Sequence, residues 1–157
     1  MVISKINPAI CALAFFLLAS CAIKPVTSEY NLVEVNQEEV GLDKLGEGKV
    51  LLYYEGNTFL VAKRAQYRLN LWLDGKAVAH LWPREYVVID LREGDYQLKV
   101  QRGDNLTSTI SRHDLKIDNT TKVVGIEPVF ATNVLFPKNE LPKRFDRYSY
   151  AEFARSY

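Results

Sequence analysis

YRLNLWLDGKAVAHLW, residues 67–82, decides how this chain is read. Tyr67, Leu69, Leu71 and Leu73 alternate with Arg68, Asn70 and Trp72, the two-residue period of a strand with one buried face. Asp74-Gly75 then supplies two residues that tolerate positive φ, as a type I′ hairpin turn requires. Ala77, Ala79 and Leu81 return on a second strand. Pro83, which has no N–H to give a ladder, stops it. A slip of one residue would turn every leucine to solvent, so turn and pattern specify one register together.

The same texture extends to both sides. Before the hairpin, VLLYYEG (50–56) is a β-rich run closed by Gly56-Asn57. After it, EYVVIDL (85–91) starts a strand that Arg92 to Asp95 turns. YQLKVQ (96–101) alternates again, and Gly103-Asp104-Asn105 makes the next turn. Thr107 to Ile117 is more polar, the composition of a strand near a sheet edge. Asp118-Asn119 turns, and KVVGIEPVF (122–130) closes the series. About seven short strands with regular turn signals predict an all-β domain over residues 47–130, an antiparallel β-sandwich. The tail, residues 131–157, differs. After Pro142 a short helix around Tyr148 to Arg155 is expected, with Phe145, Tyr148 and Phe153 available to pack.

The front of the chain has another character. Lys5 precedes an uncharged apolar run from Ala9 to Ala19, and Ser20, Cys21 and Lys24-Pro25 follow. This is the three-part layout of a secretory signal. A spanning helix needs about 20 apolar residues, and this run is about half that long. Leu18-Ala19-Ser20-Cys21 resembles the lipobox of bacterial lipoproteins, which has an aliphatic residue, two small residues and then cysteine. The resemblance implies cleavage after residue 20, diacylglycerol on the Cys21 sulfur and a palmitate-like acyl chain on the new amino terminus. Ala22 stands where an aspartate would signal inner-membrane retention, which implies the outer membrane, facing the periplasm. The alternative is an ordinary signal peptide that happens to contain a cysteine. Residues 21–46 then read as a tether that spaces the body from the bilayer, with room for one short strand or helical turn at Val33 to Val40.

Totals narrow the function classes. The chain carries 20 Lys+Arg and 19 Asp+Glu, and loss of residues 1–20 removes only Lys5, leaving 19 of each. That balance argues against nucleic-acid binding, which shows a basic excess or stripe. Cys11 would leave with the leader, so Cys21 would be the last cysteine. Disulfides, a Cys metal site and a Cys nucleophile are therefore not expected.

Residues 49–127 resemble PEGA-type surface domains and an uncharacterised domain of bacterial lipoproteins. Asp74-Gly75-Lys76, the strand from Tyr86 to Leu91, and Glu93-Gly94-Asp95-Tyr96-Gln97-Leu98-Lys99-Val100 carry the likeness. It departs at Leu91-Arg92, where those domains often place a proline. The resemblance implies a small envelope β-sandwich and brings no catalytic residue.

Candidate chemistry is sparse. His80 is expected on the face opposite Ala79 and Leu81, at the surface or in a cross-strand pair. His113 and Asp114 are neighbours in a strand and so point apart. Glu38-Glu39 reads as solvated charge. No nucleophile elbow, phosphate loop, zinc motif or calcium loop occurs, and no cofactor is expected. Trp72, Trp82 and Tyr86 are candidates for an aromatic face that binds glycan or peptide. Arg144 and Tyr148 head a tail of mixed Arg and aromatic residues, a composition enriched at interfaces. The expectation is a membrane-anchored, non-catalytic structural or interaction module whose partners are envelope proteins or cell-wall glycan. A binding module on the aromatic face comes second, and a glycan hydrolase third.

Overall fold

The computed structural model describes residues 23–33, 35, 39–55, 68–103, 108–128 and 133–151. The leader, Cys21, Glu38, Tyr67, Phe153 and Arg155 lie outside them. The described residues form nine strands in two sheets, with a 3₁₀ turn at Phe145–Arg147. The strands are β1 Lys49–Tyr54, β2 Arg68–Leu73, β3 Lys76–Leu81, β4 Glu85–Asp90, β5 Gly94–Gly103, β6 Ser108–Ile117, β7 Val123–Pro128, β8 Asn133–Lys138 and β9 Ser149–Tyr150. One sheet runs β8-β7-β1-β4-β9 and the other β3-β2-β5-β6.

The hairpin forms as its sequence predicts. Asp74 and Gly75 take φ of 48° and 83°, the left-handed pair of a type I′ turn. Asp74 also ties the turn to β5, because its Oδ1 accepts from the Gln97 N–H at 2.8 Å. The return strand departs from simple alternation. Leu71 pairs with Ala79 and Trp72 with Ala77, so Val78 is an extra, bulged residue. The bulge puts Val78 beside Ala79 in the core and turns Ala77 away from it.

The core takes Leu69, Leu71, Leu73, Leu98 and Val100 from the four-stranded sheet. From the five-stranded sheet it takes Val50, Leu52, Val87, Ile89, Val124 and Ile126. The alternate residues Leu51, Tyr53, Tyr86, Val88 and Val123 belong to a second cluster with Val40, Leu45 and Tyr148. The five-stranded sheet is thus buried on both faces. This explains the unbroken apolar runs VLLYY and YVVI, where a half-exposed strand would alternate.

Three expectations need correction. The strands are not all antiparallel: β1 and β7 run parallel, as do β4 and β9. The cause is a layer change, since β6 lies in one sheet and β7 enters the other beside β1, from the end where β1 starts. The helix expected at Tyr148 does not form there. Tyr148 is extended, with φ −95° and ψ 151°, and the next two residues are β9. The open edge of β4 decides this: Ser149 N–H donates to Arg84 O and Ala151 N–H to Tyr86 O, both at 3.0 Å. Strands β8 and β9 also carry the sheet past residue 130.

The third correction concerns the described residues of the expected 21–46 tether. Ile23 is buried. Glu29 N–H donates to Ala77 O at 2.8 Å, and its Oε1 accepts from the Ala77 N–H at 2.8 Å. Leu32 bridges Ile89, and Val33 N–H donates to Val88 O. The segment therefore closes the edges of β3 and β4, which would otherwise present unpaired backbone groups. Glu29→Ala is expected to cost about 1–2 kcal/mol, because it strips the acceptor from a buried N–H. Chemical denaturation would measure this, and an unchanged midpoint would contradict the docking.

Candidate functional site

The outward face of β2, β3 and β5 gathers three of the residues singled out from sequence, Trp72, Trp82 and His80. Trp72 sits opposite Lys99 of β5, whose Nζ lies 3.9 Å from the ring centroid. The Arg68 guanidinium lies 4.1 Å from the Trp82 ring. Each indole is half-buried, with a cation on one face. Such contacts contribute roughly 0.5–1 kcal/mol at exposed sites.

Between these pairs runs a buried polar chain. Asn70 lies opposite His80 on one side and Gln101 on the other. Its Nδ2 donates to Lys24 O at 2.7 Å and to Gln101 Oε1 at 3.3 Å. Its Oδ1 therefore faces His80, and an oxygen there can only accept. The 2.5 Å contact with His80 Nδ1 requires that nitrogen to carry the proton. The N-terminal segment so fixes the His80 tautomer through Asn70. His80 is fully buried, and of the two places expected for it, surface or cross-strand pair, it takes the second, opposite Asn70, which the chain at Lys24 caps. Burial first, and the Arg68 charge second, push its pKa down to about 4.

Tyr86 does not join Trp72 and Trp82. Pro83 ends β3, and the chain then crosses to the other sheet, so β4 places Tyr86 in the opposite layer. Tyr86 is fully buried there, 5.0 Å from Phe145 and 5.6 Å from Tyr150 between ring centroids. Its hydroxyl donates to Val35 O at 3.3 Å. The proposed aromatic trio is thus split between two sheets. Arg144 and Tyr148 also part. Arg144 is exposed and left-handed at φ 57°, whereas Tyr148 is buried edge-on to Tyr53 at 5.7 Å. Burial, and then the Glu55 charge, push the Tyr148 hydroxyl pKa up to about 12. The described residues 141–151 therefore cover the five-stranded sheet, with Phe145, Tyr148 and Tyr150 packed against its second cluster.

His113 also has a partner that adjacent-residue reasoning misses. It does not meet Asp114. Its Nε2 lies 3.0 Å from Ser111 Oγ, two residues earlier on the same face of β6. Ser111 Oγ accepts from Asn133 Nδ2 at 2.8 Å. Since Asn133 is on β8, the trio stitches one sheet to the other. The i, i+2 spacing of Ser111 and His113 was visible in the sequence, and Asn133 was not. A separate open cleft of about 680 Å³ lies where β1 and β7 begin, rimmed by Asp43, Glu47, Lys49, Asn119 and Lys122. Lys122 Nζ is committed there to Leu42 O at 2.7 Å. Among the described residues no group of three His, Cys, Asp or Glu side chains could hold a metal ion.

The fold and these contacts define a two-sheet all-β protein with a covered second face. No protein-family model, curated protein or solved structure matches the chain.

Proposed function

We propose that this chain is a lipid-anchored envelope protein whose body, a sandwich of the two sheets, is a non-catalytic structural or interaction module. The supporting observation is the order of parts: a signal-like leader, Leu18-Ala19-Ser20-Cys21, and a folded body whose first described residue follows two positions later. Acyl chains contribute about 0.8 kcal/mol per buried CH₂, and two or more hold a protein stably on a bilayer. The site of action is the periplasmic face of the outer membrane, and the likeness of residues 49–127 to PEGA-type domains is part of the same reading. The polar groups described above favour a structural task. His80 and Asn70 hold the N-terminal segment, and Ser111, His113 and Asn133 join the sheets.

Metabolic palmitate labelling with intact-mass analysis tests the anchor. Wild type should incorporate label and begin at an acylated Cys21, and Cys21→Ala should incorporate none. An unlabelled wild-type protein, or a mature terminus elsewhere, would sink the reading. Partner mapping should use point variants at exposed positions. Deleting the tail from Pro142 would remove Phe145, Tyr148 and Tyr150 from a core cluster and confound docking with unfolding.

A further inference from the structure

We infer that the outward face of β2, β5 and β6, at the end holding Arg68, Lys99 and Arg112, rests on the anionic headgroups of the membrane that carries the anchor. The inference depends on acylation of Cys21. Its first support is reach. Lys24 O is hydrogen-bonded to Asn70 at the middle of this face. Three residues span at most about 11 Å, so Cys21 is held close to Asn70 whatever path the chain takes. Neighbouring strands lie about 4.8 Å apart, which puts β5 and β6 in the same range. A long spacer would leave the body free to tumble above the bilayer. A segment docked from Ile23 onward leaves very little chain for that.

Charge is the second support. The outward positions of the paired strands form rows. Arg68, Gly103 and Ser108 make one row, Asn70, Gln101 and Ile110 the next, and Trp72, Lys99 and Arg112 the third. None of these carries an acid. Asp114 and Asp95 face outward on the rows farther along, away from Asn70. The whole chain is balanced in charge, yet this end is basic, and Lys24 adds to it. Ile110 is the third support. It is 55% exposed, the large hydrophobic residue most open to solvent among those described, and it sits in this patch on the end strand. A bilayer interface suits cations that meet phosphates, indoles at headgroup depth and one apolar side chain beyond them.

The two tryptophans of the chain are Trp72 and Trp82, so intrinsic fluorescence reports on this region alone. The acylated full-length protein would be placed on vesicles of phosphatidylethanolamine and phosphatidylglycerol that carry a headgroup nitroxide. Tryptophan emission should be quenched by the nitroxide and shielded from aqueous acrylamide. Lys99→Glu with Arg112→Glu should reverse both effects, since each lost cation shifts the docked population roughly fivefold. Flotation with the vesicles should persist through the acyl chains. Ile110→Asp, a single exposed change, should act in the same direction and guards against misfolding of the double variant. An acylated protein that floats but keeps its tryptophans as open to acrylamide as lipid-free Cys21→Ala would overturn the inference and leave the anchor standing. So would quenching that survives both variants, or shielding that arises without lipid on concentration, which would give the face to a second copy. A mass without acyl groups on Cys21 would remove anchor and inference together.

Discussion

The protein should lose about 3 kcal/mol of stability between pH 7 and pH 4 through His80 alone. In the unfolded chain this imidazole has its ordinary pKa of 6.5, and in the fold burial and Arg68 hold it near 4. Between those values the unfolded state binds a proton that the folded state refuses. Stability is therefore greatest above pH 6.5 and falls as the pH drops, with most of the loss complete near pH 4. His113, also pushed down by burial, acts with the same sign. Asp118 belongs to a lower window. Hydrogen bonds from Thr120 and Thr121 depress its pKa below 3.8. Its contribution is present above that value and disappears as the pH falls through its folded pKa. Urea midpoints across this range would show the slope. His80→Gln keeps a donor for Asn70 but cannot titrate, and should flatten the profile. A variant with the wild-type slope would show that His80 is not the group responsible.

A second large effect is expected at Gly125. Tyr53 pairs with Gly125 across the parallel β1–β7 ladder, and its ring lies over the glycine. A Cβ on Gly125 would meet Tyr53 Oη at 2.6 Å and Cζ at 2.7 Å. The ring is fully buried and packed edge-on to Tyr148, so it has little room to retreat. In an open strand alanine would be as good as glycine or better. Here overpacking wins, and Gly125→Ala should cost about 1–3 kcal/mol, with Gly125→Val worse. The origin can be checked by a double-mutant cycle, because Tyr53→Leu should be much less harmful in the Gly125→Ala background than in the wild type. Strict additivity, or a Gly125→Ala protein as stable as wild type, would contradict the contact.

These two effects differ in how far they could be foreseen. Glycine in the KVVGIEPVF strand is a readable signal, since a strand interior gains from a side chain and this position has none. Its reason, the Tyr53 ring, requires knowing that β7 lies parallel to β1. His80 was placed on the outer face by simple alternation, and it is there. Burial of His80 and Asn70 within that face was not legible, because the segment that caps Asn70 is at Lys24, far back along the chain. The same limit explains Tyr86. Trp72, Trp82 and Tyr86 lie close in sequence, yet Pro83 marks a layer crossing that separates the last from the others. Runs such as VLLYY and YVVI did contain evidence that one sheet is covered on both sides, since they fail to alternate.

Local rules were enough for the all-β class, for the Asp74-Gly75 hairpin and for most strand limits. Alternation and positive-φ turns act over a few residues, where covalent geometry and side-chain direction are already decisive. Only the tertiary structure settled which strands share a sheet, which run parallel, and what lies over each face. Those outcomes depend on open edges and apolar surfaces that segments distant along the chain, 23–33 and 141–151, cover.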